Sequence, residues 1–358
     1  MSQPERRAAP VLSVMDMVPV SAGHSRTDAL TDMIALARVA DVAGYEHFWL
    51  AEHHGSTTYL SSATIVLMGQ VLAATERMGV ASGGIMLPNH APLVVAEQIG
   101  TLATLYPGRV ELGLGRAPGT DRLTAAALRR GASDPGRFAE EILEILTYLG
   151  DEPVPERLPG SLLLGASSAP DDAAQMPGPD APRVRAIPGE GTHPTVWVLG
   201  SSVNGARVAG RLGLPFAVAS HFAPVQAEAA IATYRSVLES RAEEAQSAQA
   251  LRPVPRVAAA VNVMVAPSQD EARFLFSTAM AAAARIVGNR PAPLDPPTED
   301  PQAWRAYAPG REAAVETAMS LSFVGTADDV ASRLRELADR WDLDEILVVT
   351  YAHDPALR

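Results

Sequence analysis

Val196-Trp197-Val198-Leu199-Gly200-Ser201-Ser202-Val203-Asn204 holds the unit from which the whole chain is built. Its first four residues are continuously apolar, the pattern of a strand buried on both faces, and parallel sheets are made of such strands. Small and hydroxyl-bearing residues then lead into a helical pattern over 204–212, and a new β-type run follows at 216–219. The same unit recurs outward in both directions. Short β-type runs stand at 11–14, 47–50, 79–82, 110–114, 258–265 and 345–350. Eight runs alternating with helical patterns predict a (β/α)8 TIM barrel of the α/β class, with an open doubly wound sheet as the alternative.

The helical patterns carry start and stop signals. Leu30, Ile34, Ala37 and Ala40 share a face, and Gly44 stands at the expected C-terminal cap. The run 63–74 is apolar nearly all round, which predicts burial on more than one side, as at a subunit interface. Pro92 opens another helix, where its missing N–H costs nothing. Phe138, Ile142, Ile145, Leu146 and Leu149 form a stripe between Asp134-Pro135 and Gly150, and 231–238 supplies a further helix. Ser268 with Glu271 predicts a capping box before 272–287. Thr326 is expected to cap a helix whose Val330, Leu334, Leu337 and Trp341 face one way.

The chain reads as a single barrel domain over 1–358 with two irregular insertions, at about 151–193 and 288–310, both expected to be long and partly mobile. Little chain follows the eighth run, so the closing helix is expected to be short or missing. Composition narrows the function. The 358 residues are 47% hydrophobic and 20% charged, a soluble globular profile, and the net charge of −12 gives no reason to seek nucleic acid or an anionic membrane. Without cysteine there is no disulfide framework, thiolate metal site or cysteine nucleophile. No signal-peptide pattern or membrane-spanning run is present, and a cytoplasmic location is the expectation.

In a barrel the chemistry sits at the C-terminal ends of the strands. Polar and special-backbone residues gather there: Asp16 after the first run, Glu52-His53-His54 after the second, Gly83-Gly84 and Asn89 after the third, Arg116 after the fourth, Ser201-Ser202 after the fifth and His221 after the sixth. Neighbouring residues of an extended chain point to opposite faces, so His53 and His54 are not expected to converge on a metal, and none is predicted. The histidines read either as hydrogen-bonded structural groups or as an acid–base group beside a cofactor. Arg116 is either a solvated charge or a phosphate fork; Ser201 and Ser202, at a helix start on the neighbouring strand, suit the same anion. Gly83-Gly84 reads as a bulge or as flat backbone approached by a planar ligand. Gly113-x-Gly115 followed by Gly119 lacks the spacing of a dinucleotide fingerprint.

Four stretches, Trp49–His54, Ser82–Pro92, Pro107–Arg116 and Trp197–Ser202, occur in the order of the landmarks of the luciferase-like flavin monooxygenases, and the chain resembles that family from about residue 11 to about 350. The resemblance implies a barrel that binds reduced FMN, reacts it with dioxygen and transfers one oxygen atom to a small organic substrate. It implies His53 as the active-site histidine with Glu52 beside it, a non-proline cis peptide at Gly83-Gly84 against the flavin ring, and Arg116 with Ser201 and Ser202 on the phosphate. Asp16, Asn89 and His221 would line the pocket. It further implies FMN reduced by a separate, diffusing reductase, and a homodimer through 63–74. Gly115 stands where luciferases carry a reactive cysteine, and Gly200 where they carry an acid. Two alternatives stay open: a deazaflavin-dependent hydride-transfer enzyme on the same barrel, and a non-catalytic flavin-binding paralogue.

Overall fold

In the computed structural model, which describes residues 9–117, 120, 122–128, 135–150, 184–245 and 256–358, the strands form a closed parallel barrel ringed by helices. In chain order the elements are β1 (Val11–Asp16), α1 (Arg26–Ala43), β2 (His47–Leu50), α2 (Thr64–Ala74), β3 (Gly79–Ser82), β4 (Ile85–Met86), α3 (Pro92–Leu105), β5 (Val110–Gly115), α4 (Arg122–Ala127) and α5 (Phe138–Leu149). There follow β6 (Thr195–Gly200), α6 (Val203–Leu212), β7 (Phe216–Val218), α7 (Ala227–Ala245), β8 (Val257–Val265), α8 (Gln269–Val287), α9 (Glu312–Ala318), β9 (Ser322–Gly325), α10 (Ala327–Trp341) and β10 (Glu345–Val349). The ring runs β1-β2-β3-β5-β6-β7-β8-β10 and closes where β10 pairs with both β8 and β1. All eight expected runs are its strands.

Two short strands lie outside that expectation. β4 continues the line of β3 beyond Gly83-Gly84 and pairs Ile85 and Met86 with Leu114 and Gly115 of β5. β9 pairs with the second half of β8, from Asn262 to Val265, while β10 takes the first half, from Ala258 to Asn262. The long β8 thus serves two partners in succession.

The helices pack as amphipathic covers. On α5 the stripe of Phe138, Ile142, Ile145 and Leu149 is buried, with Leu146 packed against its edge; each fully buried side chain of this size contributes about 1.5–3 kcal/mol. On α1 the buried face is Ala29, Met33, Ala37 and Ala40, so Leu30 points outward, one step round from the expected face. Gly44 ends α1 in the left-handed conformation (φ 84°), its N–H reaching the Ala40 and Asp41 carbonyls. At α8 the Ser268 hydroxyl accepts from Glu271 N at 3.2 Å, which is one half of the expected box. Thr326 holds the cap position of α10 with extended backbone but makes no side-chain cap bond.

A polar plug seals the N-terminal end of the barrel. The buried Glu345 carboxylate accepts from Ser13 Oγ (2.6 Å), His47 Nδ1 (2.9 Å), Trp49 Nε1 (3.0 Å) and Arg256 (3.1 Å). Glu111 accepts from Trp197 Nε1 (2.7 Å), and Arg256 lies 4.6 Å over the Trp197 ring. Burial alone would lower the His47 pKa, but its bonds to Glu111 and Glu345 override that and raise it to about 10. Its cation therefore completes the plug. Above it Trp49, Trp197, Met15 and Met17 fill the barrel interior, so access is confined to the C-terminal mouth.

The insertion expected at 288–310 is tied down rather than loose. Leu294 bridges Ser21, with Ala22 N donating to Leu294 O and Leu294 N to Val20 O. Thr58 Oγ1 donates to Ala292 O at 2.8 Å, and Arg285 grips Asp295 through two nitrogens at 2.8 and 3.0 Å. Residues 151–183 of the other expected insertion, and Asp134, lie outside the described residues. After β10 the chain makes only a short 3-10 turn, Pro355–Leu357.

Candidate active site

The wall of the mouth between β3 and β6 is built from glycine. The Gly83-Gly84 peptide is cis. A Cβ on Gly84 would lie 2.6 Å from the Gly113 carbonyl oxygen, and one on Gly113 only 2.1 Å from that of Ser82. Ser82 Oγ both donates to Gly113 O and accepts from Gly113 N at 2.9 Å, locking the two strand ends together. Met15, Trp49 and Leu199 crowd the same positions, so only glycine fits where the two strand ends meet.

Glu52, at the end of β2, is the organiser of the adjoining rim. It is almost fully buried and accepts from Met86 N (3.0 Å), Asn89 Nδ2 (2.9 Å), His54 Nε2 (2.8 Å) and His90 Nε2 (2.9 and 3.0 Å to its two oxygens). Burial would raise its pKa, but His90, Asn89 and His54 outweigh that and lower it, so Glu52 is a carboxylate. It makes no hydrogen bond to His53 among the described residues. Glu52 clamps the segment that follows β4. Residues i and i+2 of an extended chain share a face, which sends Glu52 and His54 one way and His53 the other. The expectation that adjacent histidines diverge holds; the convergence of Glu52, His54 and His90 was not foreseen, because His90 lies 36 positions further along.

His53 turns toward the barrel axis. Its ring lies 5.2 Å from that of Tyr59, which in turn lies 6.0 Å from Tyr351. Its Nδ1 is buried without a hydrogen-bond partner, and burial drives its pKa down to about 4. His221, from the rim beyond β7, shares these features: burial first and the neighbouring His53 second lower its pKa to about 3, and its Nδ1 also has no partner. Two neutral imidazoles with bare nitrogens thus face the same interior, each able to accept or relay a proton.

Arg116 follows β5 directly, exposed on the same rim, with no hydrogen bond or ion pair among the described residues. The register Gly115↔Leu199 sets it alongside the turn that carries Ser201 and Ser202. Those serines line a cavity of about 540 Å³ whose other walls include Phe222, Val225 and Thr317. Asp16 is engaged elsewhere: its Oδ1 accepts from Val18 N (3.0 Å) and from the Arg358 guanidinium (2.5 Å), while Oδ2 is buried and bare. The structure therefore gathers Glu52 with Asn89 and His53 with His221, sets Arg116 on the strand next to the serine turn, and bonds Asp16 to Arg358. Tyr59, Tyr351, His90 and Arg358 escaped sequence reasoning; the positions of Tyr351 and His90 shortly beyond strand ends offered a signal.

The sequence profile described as luciferase-like monooxygenase matches residues 12–342. A luciferase-like monooxygenase of Escherichia coli K12 is 39% identical over 337 residues, 94% of this chain and 90% of that protein. Among solved structures, apo-MsnO8 superposes with a TM-score of 0.76 at 30% identity, covering 98% of this chain and 95% of its own. The oxygenating constituent of 3,6-diketocamphane monooxygenase from Pseudomonas putida, a type II Baeyer-Villiger enzyme solved with FMN, shares the fold at TM-score 0.65 and 19% identity, covering 98% and 94%.

Proposed function

Because the chain belongs to the luciferase-like monooxygenase family, we propose that it binds reduced FMN and uses dioxygen to oxygenate a small organic substrate. One observation carries the reading: a neutral imidazole, His53, with a bare buried nitrogen, at the same rim as a stretch of backbone built from glycine. These residues fit FMN. The flat backbone at Gly83-Gly84 would take the face of the ring. The exposed Arg116, unpaired among the described residues, with Ser201, Ser202 and the N-terminal end of α6, would take the phosphate. When bound, the flavin supplies the activation of dioxygen that side chains cannot.

The protein's own part is positional and protonic. His53 holds or delivers a proton at the reacting oxygen through Nδ1, ready as a neutral base at pH 7. The Glu52 clamp fixes the strand end from which His53 projects, which makes Glu52 a positioning residue. Asn89, His221 and Asp16 line the substrate side. Reduced FMN would arrive from a separate reductase. Assembly as a homodimer would cover the apolar groups left outside on α2 and α3, notably Val66, Val94 and Leu105. No helix among the described residues is long and apolar enough to cross a membrane.

The test is to mix the protein with chemically reduced FMN in air and follow the return of oxidised-flavin absorbance. Reoxidation much slower than for free flavin supports the reading; an unchanged rate overturns it, leaving the hydride-transfer or non-catalytic alternative. The phosphate assignment has its own check. A charged hydrogen bond is worth about 1.5–3 kcal/mol, so Arg116→Ala should weaken FMN about 10- to 100-fold and leave riboflavin nearly unchanged in a fluorescence titration.

A further inference from the structure

We propose that Glu52, His54 and His90 form a binding site for a divalent transition-metal cation of the zinc class at the rim of the barrel. The three ligand atoms, one from each residue, lie within 4.8 Å of one another. They come from two segments that the fold fixes independently: the end of β2 supplies Glu52 and His54 on one face of extended chain, and the segment after β4 supplies His90. Both imidazoles present the same nitrogen, Nε2, toward the carboxylate, at 2.8 and 2.9 Å.

Hydrogen bonding alone leaves this cluster crowded. Oε1 of Glu52 is approached within 3.0 Å by His54 Nε2, Asn89 Nδ2 and His90 Nε2, although a carboxylate oxygen carries only two lone pairs. A cation between the three side chains relieves the crowding: the imidazoles turn from donors into ligands, and Asn89 and Met86 N remain as the hydrogen bonds that orient the carboxylate. Bonds of about 2.0–2.1 Å in a tetrahedral centre space the ligands by about 3.3 Å. The site must therefore open by about half an ångström from its metal-free spacing. The two histidines are half-buried and stand on the solvent side, whereas Glu52 is buried and supplies the fixed negative charge. Two imidazoles and one carboxylate, with a position left for water, select zinc, nickel or iron(II) over magnesium or calcium.

The proposal stands apart from the flavin reading and is tested without flavin. The full chain, freed of metal with a chelator, is titrated with Zn2+ against a chromogenic zinc indicator. One equivalent should bind with a dissociation constant in the micromolar range or below. His54→Gln and His90→Gln keep an amide donor for the Glu52 hydrogen bond but remove the ligand, and each should weaken binding at least tenfold with an unchanged melting temperature. His24→Ala and His353→Ala, at a close pair of imidazoles elsewhere on the protein, should leave binding intact. No saturable binding, or binding that survives both glutamine variants, overturns the site. If a glutamine variant lowers the melting temperature, the visible spectrum of wild-type protein with Co2+ decides: intense bands of a four- or five-coordinate centre support the site, and the pale spectrum of hydrated cobalt rejects it.

Discussion

His53 and His221 share the barrel interior as two imidazoles that stay neutral, near pKa 4 and 3, because both are buried and for His53 burial outweighs the Glu52 carboxylate. In the unfolded chain each would titrate near 6.5, so below that pH the unfolded state binds more protons than the folded one. Stability is then independent of these groups above pH 6.5. It falls as pH drops through the window from 6.5 to about 4, by up to about 1.4 kcal/mol per pH unit for each imidazole. Denaturant midpoints measured from pH 7.5 to 4.5 should show this decline, and His221→Asn should make it shallower. A slope unchanged by the variant would show that His221 is protonated in the fold. The sequence marked both histidines as rim residues, since each follows a β-type run. It could not reveal what Glu52 binds, because His90, Asn89 and Met86 arrive from another segment.

At the scale of elements, glycine plays opposite parts in helix and strand. Gly69 lies inside α2, where a Cβ would meet only Leu102 Cδ2 at an ordinary 3.4 Å, whereas on Gly113 of β5 it would run into the Ser82 carbonyl. Gly69→Ala should therefore stabilise by about 0.5–1 kcal/mol. Gly113→Ala should cost about 3 kcal/mol or more, since neither backbone can yield without parting β3 from β5. Thermal melts of the two variants check the contrast; similar shifts would refute it. The eight ring strands were legible because burial on both faces leaves unbroken apolar runs. The two-residue β4 was too short to show any period, and β9 lacks such a run, being buried on alternate residues only. The face of α1 was misjudged by one step because Leu30 outweighed Ala29 as a hydrophobic cue, while the close approach to the barrel favours the smaller side chain.

For the molecule as a whole, the plug at the closed end links the first and last strands of the ring through Ser13, His47 and Glu345. Removing one partner of a buried charge pair costs about 3–5 kcal/mol, which is the loss expected for Glu345→Gln in urea unfolding at pH 7. His47, raised to about 10, contributes its stabilisation fully below pH 6.5 and loses it as pH rises through 10. The wild type should therefore weaken progressively between pH 6.5 and about 10, while Glu345→Gln responds less. A wild type indifferent to that interval would mean His47 is neutral. None of this plug was visible beforehand: it joins residues as far apart as 13 and 345, each unremarkable in its own run.

The stitching of residues 291–294 to the loops beyond β1 and β2 has a consequence for traffic. One arc of the rim is sewn shut, and among the described residues an open flank remains past Ser201, Phe222 and α9. Entry and exit on that side need no part of the seam to open.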